Sequence, residues 1–262
     1  MVSQEVEAIG RVIAVANQKG GVGKTTTAVN LAAALAEAGE KSLLIDFDPQ
    51  GNASTSLGVR QEELRACCYN VLMKNTTLGE ALLATEIPLL SLLPATTALA
   101  GAEIELVQYA NREYWFKEAL AETRPAFSFI IIDCPPSLGL LTLNALCAAD
   151  SLIIPMQCEF FALVGVSNLL KTVSVVQEQL NRSLQIEGVL LTMFDGRLNV
   201  NNQVAQEIRN YFGNRVYQTH IPRNVRLSEA PSFGMPVLLY DPRSKGAYCY
   251  RELAQEVLAY AR

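Results

Sequence analysis

The stretch Lys-Gly-Gly-Val-Gly-Lys-Thr-Thr at residues 19–26, directly after an apolar run, constrains this chain more than any other segment. A loop that binds phosphate must turn backbone N–H groups inward, which calls for little bulk and tolerance of unusual backbone angles. Gly20, Gly21 and Gly23 supply both, with Val22 between them. A helix opening near Lys24 adds its N-terminal dipole to the same anion. Lys24 can then reach the β- and γ-phosphates of ATP, and the Thr25 hydroxyl can ligate Mg²⁺, with Thr26 next in the helix. The strict pattern G-x-x-x-x-G-K-[ST] fails, because Gln18 stands where its first glycine belongs. In its place is a variant with an extra lysine, Lys19, at the start of the loop.

Such a loop demands a strand before it and a helix after it, and the chain supplies that alternation throughout. Apolar runs bounded by turns occupy 12–16, 42–45, 129–132, 151–155 and 188–193, with shorter runs at 216–221 and 236–239. Their continuous apolar character is that of strands covered on both faces. Helical stretches lie between them at 25–38, 103–120, 138–149, 163–180, 202–211 and 247–261. The prediction is an α/β fold with a mostly parallel central sheet and helices on both faces. Residues 56–101, Leu- and Thr-rich and interrupted by Pro88 and Pro94, are expected to hold short helices and an edge strand. No Gly-, Ser- or Pro-rich linker divides the 262 residues, so one domain is expected, with residues 1–10 a poorly ordered lead-in.

Two acidic motifs complete the expected site. In LLIDFDPQGNAS, Asp46 and Asp48 end a buried strand before Pro49 and Gly51 turn the chain; in FIIIDCPPSLG, Asp133 ends another. Carboxylates at the carboxyl ends of central strands face the crevice where open α/β sheets bind ligands. The six cysteines form no C-x-x-C pair and no metal-like spacing, which reads as reduced thiols of a cytoplasmic protein. No apolar leader opens the chain and no run of 18 apolar residues occurs, so no membrane partner is expected.

The motifs KGGVGKTT, DFDPQGN, DCPPSLG, HIPRNVRLSEAP and GMPVLLYDPRSKGAYCYRELA closely resemble those of ParA-type partition ATPases. These belong to the deviant-Walker-A group of P-loop proteins that also holds MinD, the arsenical-pump ATPase and the nitrogenase iron protein. The resemblance implies a Mg²⁺-dependent ATPase that dimerises on ATP, binds nonspecific double-stranded DNA and is stimulated by a ParB-type partner or a cargo adaptor. It implies a nucleoid-associated cytoplasmic protein. By the same resemblance, Lys19 reaches the partner subunit's phosphates, Asp48 orients the attacking water, and Asp46 supports the Mg²⁺ shell. Asp133 acts on Mg²⁺ through water, and Pro222 and Asn224 contact the adenine.

Other branches of the group remain as alternatives. An iron–sulfur role needs two suitable cysteines, and Cys134, just past Asp133, reads instead as a core thiol. A MinD-like membrane role needs a basic amphipathic final helix, whereas AYCYRELAQEVLAYAR carries Glu252 and Glu256 and few cations. DNA binding has support in charge: from Asp195 to Arg251 eight Lys/Arg face four Asp/Glu, while the whole chain carries −5. The expected DNA-contacting residues are Arg197, Arg223 and Arg226, of which Arg197 and Arg226 match positions the resemblance carries over. The contacts would go to backbone phosphates rather than to bases. A positioning or regulatory ATPase that acts on a protein partner without DNA is the rival reading. His220, Tyr114 and Trp115 read as packing or edge residues.

Overall fold

A computed structural model describes residues 10–159 and 162–260. The poorly ordered lead-in expected at 1–10 falls, apart from Gly10, outside the described residues. Gly10 itself is buried, and its carbonyl accepts from Arg124 Nε at 2.8 Å.

The apolar runs form strands β1 Arg11–Val15, β2 Ser42–Asp46, β3 Leu83–Ala84, β4 Leu90–Leu93, β5 Phe129–Asp133, β6 Ser151–Gln157, β7 Gln185–Phe194 and β8 Val216–Pro222. They make one sheet in the order β3-β4-β2-β5-β1-β6-β7-β8, parallel except where the short edge strand β3 runs antiparallel to β4. The long helices are α1 Lys24–Glu37, then, after α2 Asn52–Thr55, α3 Cys68–Leu72, α4 Leu78–Ala81, α5 Leu99–Glu105 and α6 Trp115–Leu120, come α7 Leu140–Ala148, α8 Ala162–Gln179 and α9 Asn199–Phe212. Short α10 Val225–Glu229 and α11 Val237–Tyr240 precede the final helix α12 Lys245–Tyr260.

Continuous apolar strands bury both faces because each successive side chain points to the opposite side. In β1, Val12 and Ala14 face the layer that holds α7 to α9, while Ile13 and Val15 face the layer of α1 and α12. From β1 the chain passes to β2, beyond β5, and later returns to β6 on the other side of β1. That reversal opens a crevice at the carboxyl end of β1, the place where such sheets bind ligands.

Two expectations fail. The run 236–239 is not a strand: Pro236 precedes α11, and the freed Val237 N–H donates to Asn30 Oδ1 at 2.8 Å. With β8 already closing the sheet edge, Val237 and Leu238 are buried instead in the layer of α1 and α12, while Leu239 is exposed. The single helix expected over 103–120 breaks into α5, two 3₁₀ turns and α6. Asn111 adopts φ 53°, and Asn144 of α7 binds Arg112 O (2.9 Å) and Phe116 N (3.1 Å), so a tertiary contact replaces helical bonds there. Residues 56–101 do hold short helices and the edge strand.

Candidate active site

The loop between β1 and α1 occupies the crevice. Gly21 (φ 73°) and Gly23 (φ 84°) take the left-handed conformation that glycine tolerates, and Gly23 immediately precedes α1. Gly20 does not, and a Cβ there would meet no atom of the described residues, its chain neighbours aside, within 4 Å. Val22 is buried, and Thr25 and Thr26 are half-buried in the first turn of α1. Lys24 is also buried, and its ammonium donates to Lys19 O at 3.2 Å. Burial lowers its pKa, while the nearby Asp133 and Asp48 carboxylates pull it back up.

The carboxylates stand side by side because their strands pair. Asp46 of β2 lies opposite Asp133 of β5, and Asp133 lies opposite Val15 of β1. Asp46 is already engaged within its own turn. Its Oδ2 accepts from Ser54 N (2.7 Å) and Ser54 Oγ (2.6 Å), and its Oδ1 from Asp48 N (3.3 Å). Burial still pushes its pKa up to about 6. Asp133 differs: it is fully buried, and among the described residues neither oxygen has a hydrogen-bond partner. Burial and the neighbouring Asp46 raise its pKa well above the usual range; the nearby Thr25 hydroxyl, short of hydrogen-bond geometry, and Lys24 pull the other way. A buried carboxylate with both oxygens unsatisfied fits a site that takes a cation or its water shell. Among the described residues no three His, Cys, Asp or Glu side chains converge on one point. A Mg²⁺ ion here would therefore draw on Thr25, water and phosphate oxygens, with Asp133 behind the water, as Mg²⁺ at nucleotide sites commonly does. Asp48 is buried at the turn, where its Oδ1 accepts from Gln50 N at 3.0 Å and Gly51 (φ 65°) reverses the chain.

Lys19 opens the loop but does not point its ammonium into it. The ammonium pairs with Glu159, just past β6, both side chains being about half exposed. On the far side of the loop, a cavity of about 480 Å³ is lined by Gly23, Thr26, Met193, Pro222 and Asn224. Pro222 ends β8, and Asn224 caps α10 by accepting from Arg226 N at 2.9 Å. The two residues expected at an adenine thus share one cavity with the helix that would hold the phosphates.

The expected DNA residues lie after β7 and β8. Arg197 is exposed but gripped by Asp195 (Nε–Oδ1 2.9 Å, Nη2–Oδ2 2.7 Å). Arg226 pairs with Glu229 (2.8 Å) and Asp241 (3.2 Å), while Arg223 is exposed near Asp195, whose pKa it helps to lower. Cys134 is a buried core thiol, its pKa raised by burial, and all six cysteines are free. His220 stands on the exposed edge strand, its ring 4.7 Å from that of Phe194. α12 buries one face against α1 and β8, and no helix among the described residues is long and apolar enough to cross a membrane.

Three residues near the site, Gln157, Glu159 and Thr192, carry no motif signal, and a fourth, Ser54, closes the motif LLIDFDPQGNAS without an expected role. Ser54 satisfies Asp46, Glu159 holds Lys19, and the other two touch the loop itself. The only hint in the sequence is that Gln157 closes the apolar run LIIPM and Thr192 interrupts the apolar run from Val189 to Phe194.

A family model described as an AAA domain matches residues 10–186. The sporulation initiation inhibitor protein Soj of Bacillus subtilis is 55% identical over 251 residues, 96% of this chain and 99% of that protein. The chromosome partitioning protein ParA of Myxococcus xanthus is 52% identical, over 95% of this chain and 88% of its own length. Among solved structures, the cobyrinic acid a,c-diamide synthase of Mycobacterium smegmatis with bound ATP analog and magnesium superposes with a TM-score of 0.85. It is 42% identical, and the match covers 95% of each chain.

Proposed function

Because this chain belongs to the ParA/Soj family of P-loop enzymes, which hydrolyse ATP with Mg²⁺ as cofactor, we propose that it is a DNA-partition ATPase that cycles between monomer and ATP-bound dimer. In this reading residues 10–260 act as one ATPase domain. Lys24 and the N–H groups of the loop and first turn of α1 hold the phosphates, while Thr25 and Asp133 would hold Mg²⁺, directly and through water. Held there, Mg²⁺ would supply positive charge against the phosphates. Asp48 orients the attacking water, and Asp46 keeps the turn bearing Asp48 in place through Ser54.

The observation that carries the dimer is the position of Lys19: its ammonium is held by Glu159 rather than by its own loop. Released, a flexible four-carbon stem can extend to a second copy's phosphates, where a cation stabilises the charge developing in phosphoryl transfer. Turnover then depends on dimerisation. DNA retention is supported by the arginines after β7 and β8, with contacts to phosphates rather than bases. A ParB-type protein or cargo adaptor is the proposed stimulating partner, and a nucleoid-associated cytoplasmic location follows from the DNA contacts.

The Asp48→Ala protein, which should bind ATP without consuming it, tests the cycle. With ATP and Mg²⁺ it should elute as a dimer and retain nonspecific duplex at low salt. Retention should fall steeply as salt rises. A dimer that never retains duplex would favour the rival, an ATPase acting on a protein partner. A protein that stays monomeric would overturn the proposal. The M. smegmatis protein is named as an amide synthase, but the ParA of Myxococcus xanthus, more similar in sequence, is named as a chromosome partitioning protein.

A further inference from the structure

A phosphate loop works only if its N–H groups face inward, and something must hold them so before the anion arrives. In a planar trans peptide, C=O and N–H point in opposite directions, so tying a carbonyl outward turns the N–H of the same peptide inward. Two side chains do this from the neighbouring strands. Gln157, the last residue of β6, donates through Nε2 to Gly21 O at 2.8 Å, fixing the peptide that carries the Val22 N–H. Thr192 of β7 donates through Oγ1 to Val22 O at 2.8 Å, fixing the peptide that carries the Gly23 N–H. Thr192 is buried, and its methyl group lies where a Cβ on Gly23 would come within 3.8 Å. Asn17 anchors the base of the loop, donating to Pro155 O of β6 at 2.7 Å and accepting from Lys19 N at 3.0 Å.

We propose that Gln157 and Thr192 are positioning residues that preorganise the phosphate loop for the β-phosphate from outside the loop's own motif. The proposal rests on reading residues 19–26 as that loop, and not on dimerisation or DNA binding. Left-handed Gly21 and Gly23 are intrinsically loose, so without outside bonds the two peptides could turn over at little expense. Tying both carbonyls to strands of the sheet removes that freedom in advance, and preorganisation of this kind appears as affinity. Because the β-phosphate is gripped alike in ground and transition states, loss of the braces should weaken binding and leave kcat nearly unchanged.

The test compares Thr192→Val, Thr192→Ser and Gln157→Met with the wild type, by titration with ADP, AMP and a slowly hydrolysed ATP analogue. Thr192→Val keeps the shape and removes the donor, and should weaken ADP and the analogue about tenfold. Thr192→Ser keeps the donor and should bind like wild type. Gln157→Met, at a half-exposed position that does not threaten folding, should weaken ADP about three- to tenfold. AMP, which lacks the β-phosphate, should lose little in any variant. Equal ADP affinity in the Val and Met variants would overturn the proposal, as would parallel loss of AMP and ADP or a fall in kcat with unchanged KM. A wild-type protein that binds no nucleotide would instead sink the reading of the loop.

Discussion

Lys24 is buried at the head of α1 among Asp133 and Asp48, whereas the Arg197 side chain stands 89% exposed in the grip of Asp195, two residues away. On the proposed reading both are cations for phosphate, held in different media. Around Lys24 water is excluded, so each charge must be satisfied by a specific neighbour and each gap is expensive; Asp133 is such a gap. Around Arg197 and Arg226, water and salt screen every pair, so the acids Asp195, Glu229 and Asp241 are weak partners that, on the proposed reading, a DNA phosphate would replace. The buried region is thus built for one ligand geometry, and the exposed one for loose, reversible contact.

The largest effects should come from the buried side. Asp48→Ala is expected to lower steady-state phosphate release about 100-fold or more while ATP binding persists. An active variant would show that another group orients the water. Lys19→Ala, at the boundary between the two regions, should bind ATP normally yet lose about 100-fold in turnover. If its turnover matches wild type, no lysine acts across the dimer.

Asp133 gives a pH-dependent effect on stability. Its folded pKa is raised, so the neutral form is favoured in the fold, and the stability present below about pH 4 is lost as pH rises through the folded value. Asp133→Asn, melted without nucleotide or Mg²⁺, should equal wild type near pH 4 and exceed it by about 1–3 kcal/mol at pH 8. With ATP and Mg²⁺ the order should reverse. A constant difference across pH would mean that Asp133 is already satisfied in the free protein.

The smallest effects belong to the surface. Removing the acids that hold the arginines, by Asp195→Asn with Glu229→Gln, should tighten retention of nonspecific duplex about two- to fivefold at low salt and vanish at high salt. Weaker retention in that double variant would contradict the picture of arginines competing between their own acids and DNA.

These regions also differ in how far they can be read without coordinates. The phosphate loop, the strand-end carboxylates and the parallel sheet are written in local pattern: glycines where φ must be positive, lysine and threonine at a helix start, and apolar runs ending in aspartate. Where local pattern underdetermines structure, the reading failed. Four apolar residues at 236–239 suit a strand or a helix turn equally, and the filled sheet edge with the Asn30 bond decided for the turn. The stretch 103–120 has helical composition throughout, yet Asn144, more than 20 residues further on, takes the backbone partners that would have continued it.

By itself the sequence determined that a phosphate loop follows β1, that Asp46 and Asp133 stand at the ends of apolar strands with Asp48 close behind Asp46, and that the C-terminal third is richer in cations than the rest. Residue type and spacing suffice for this, because backbone freedom, helix dipoles and apolar burial act over a few residues. Only the tertiary structure decided the pairings: Asp46 satisfied by Ser54 while Asp133 is left bare, Lys19 turned to Glu159, and Gly21 and Val22 tied to Gln157 and Thr192. Those bonds join residues up to 170 positions apart. No local rule reaches that far; the sheet order brings the strand ends together, and desolvation then dictates which polar groups must meet.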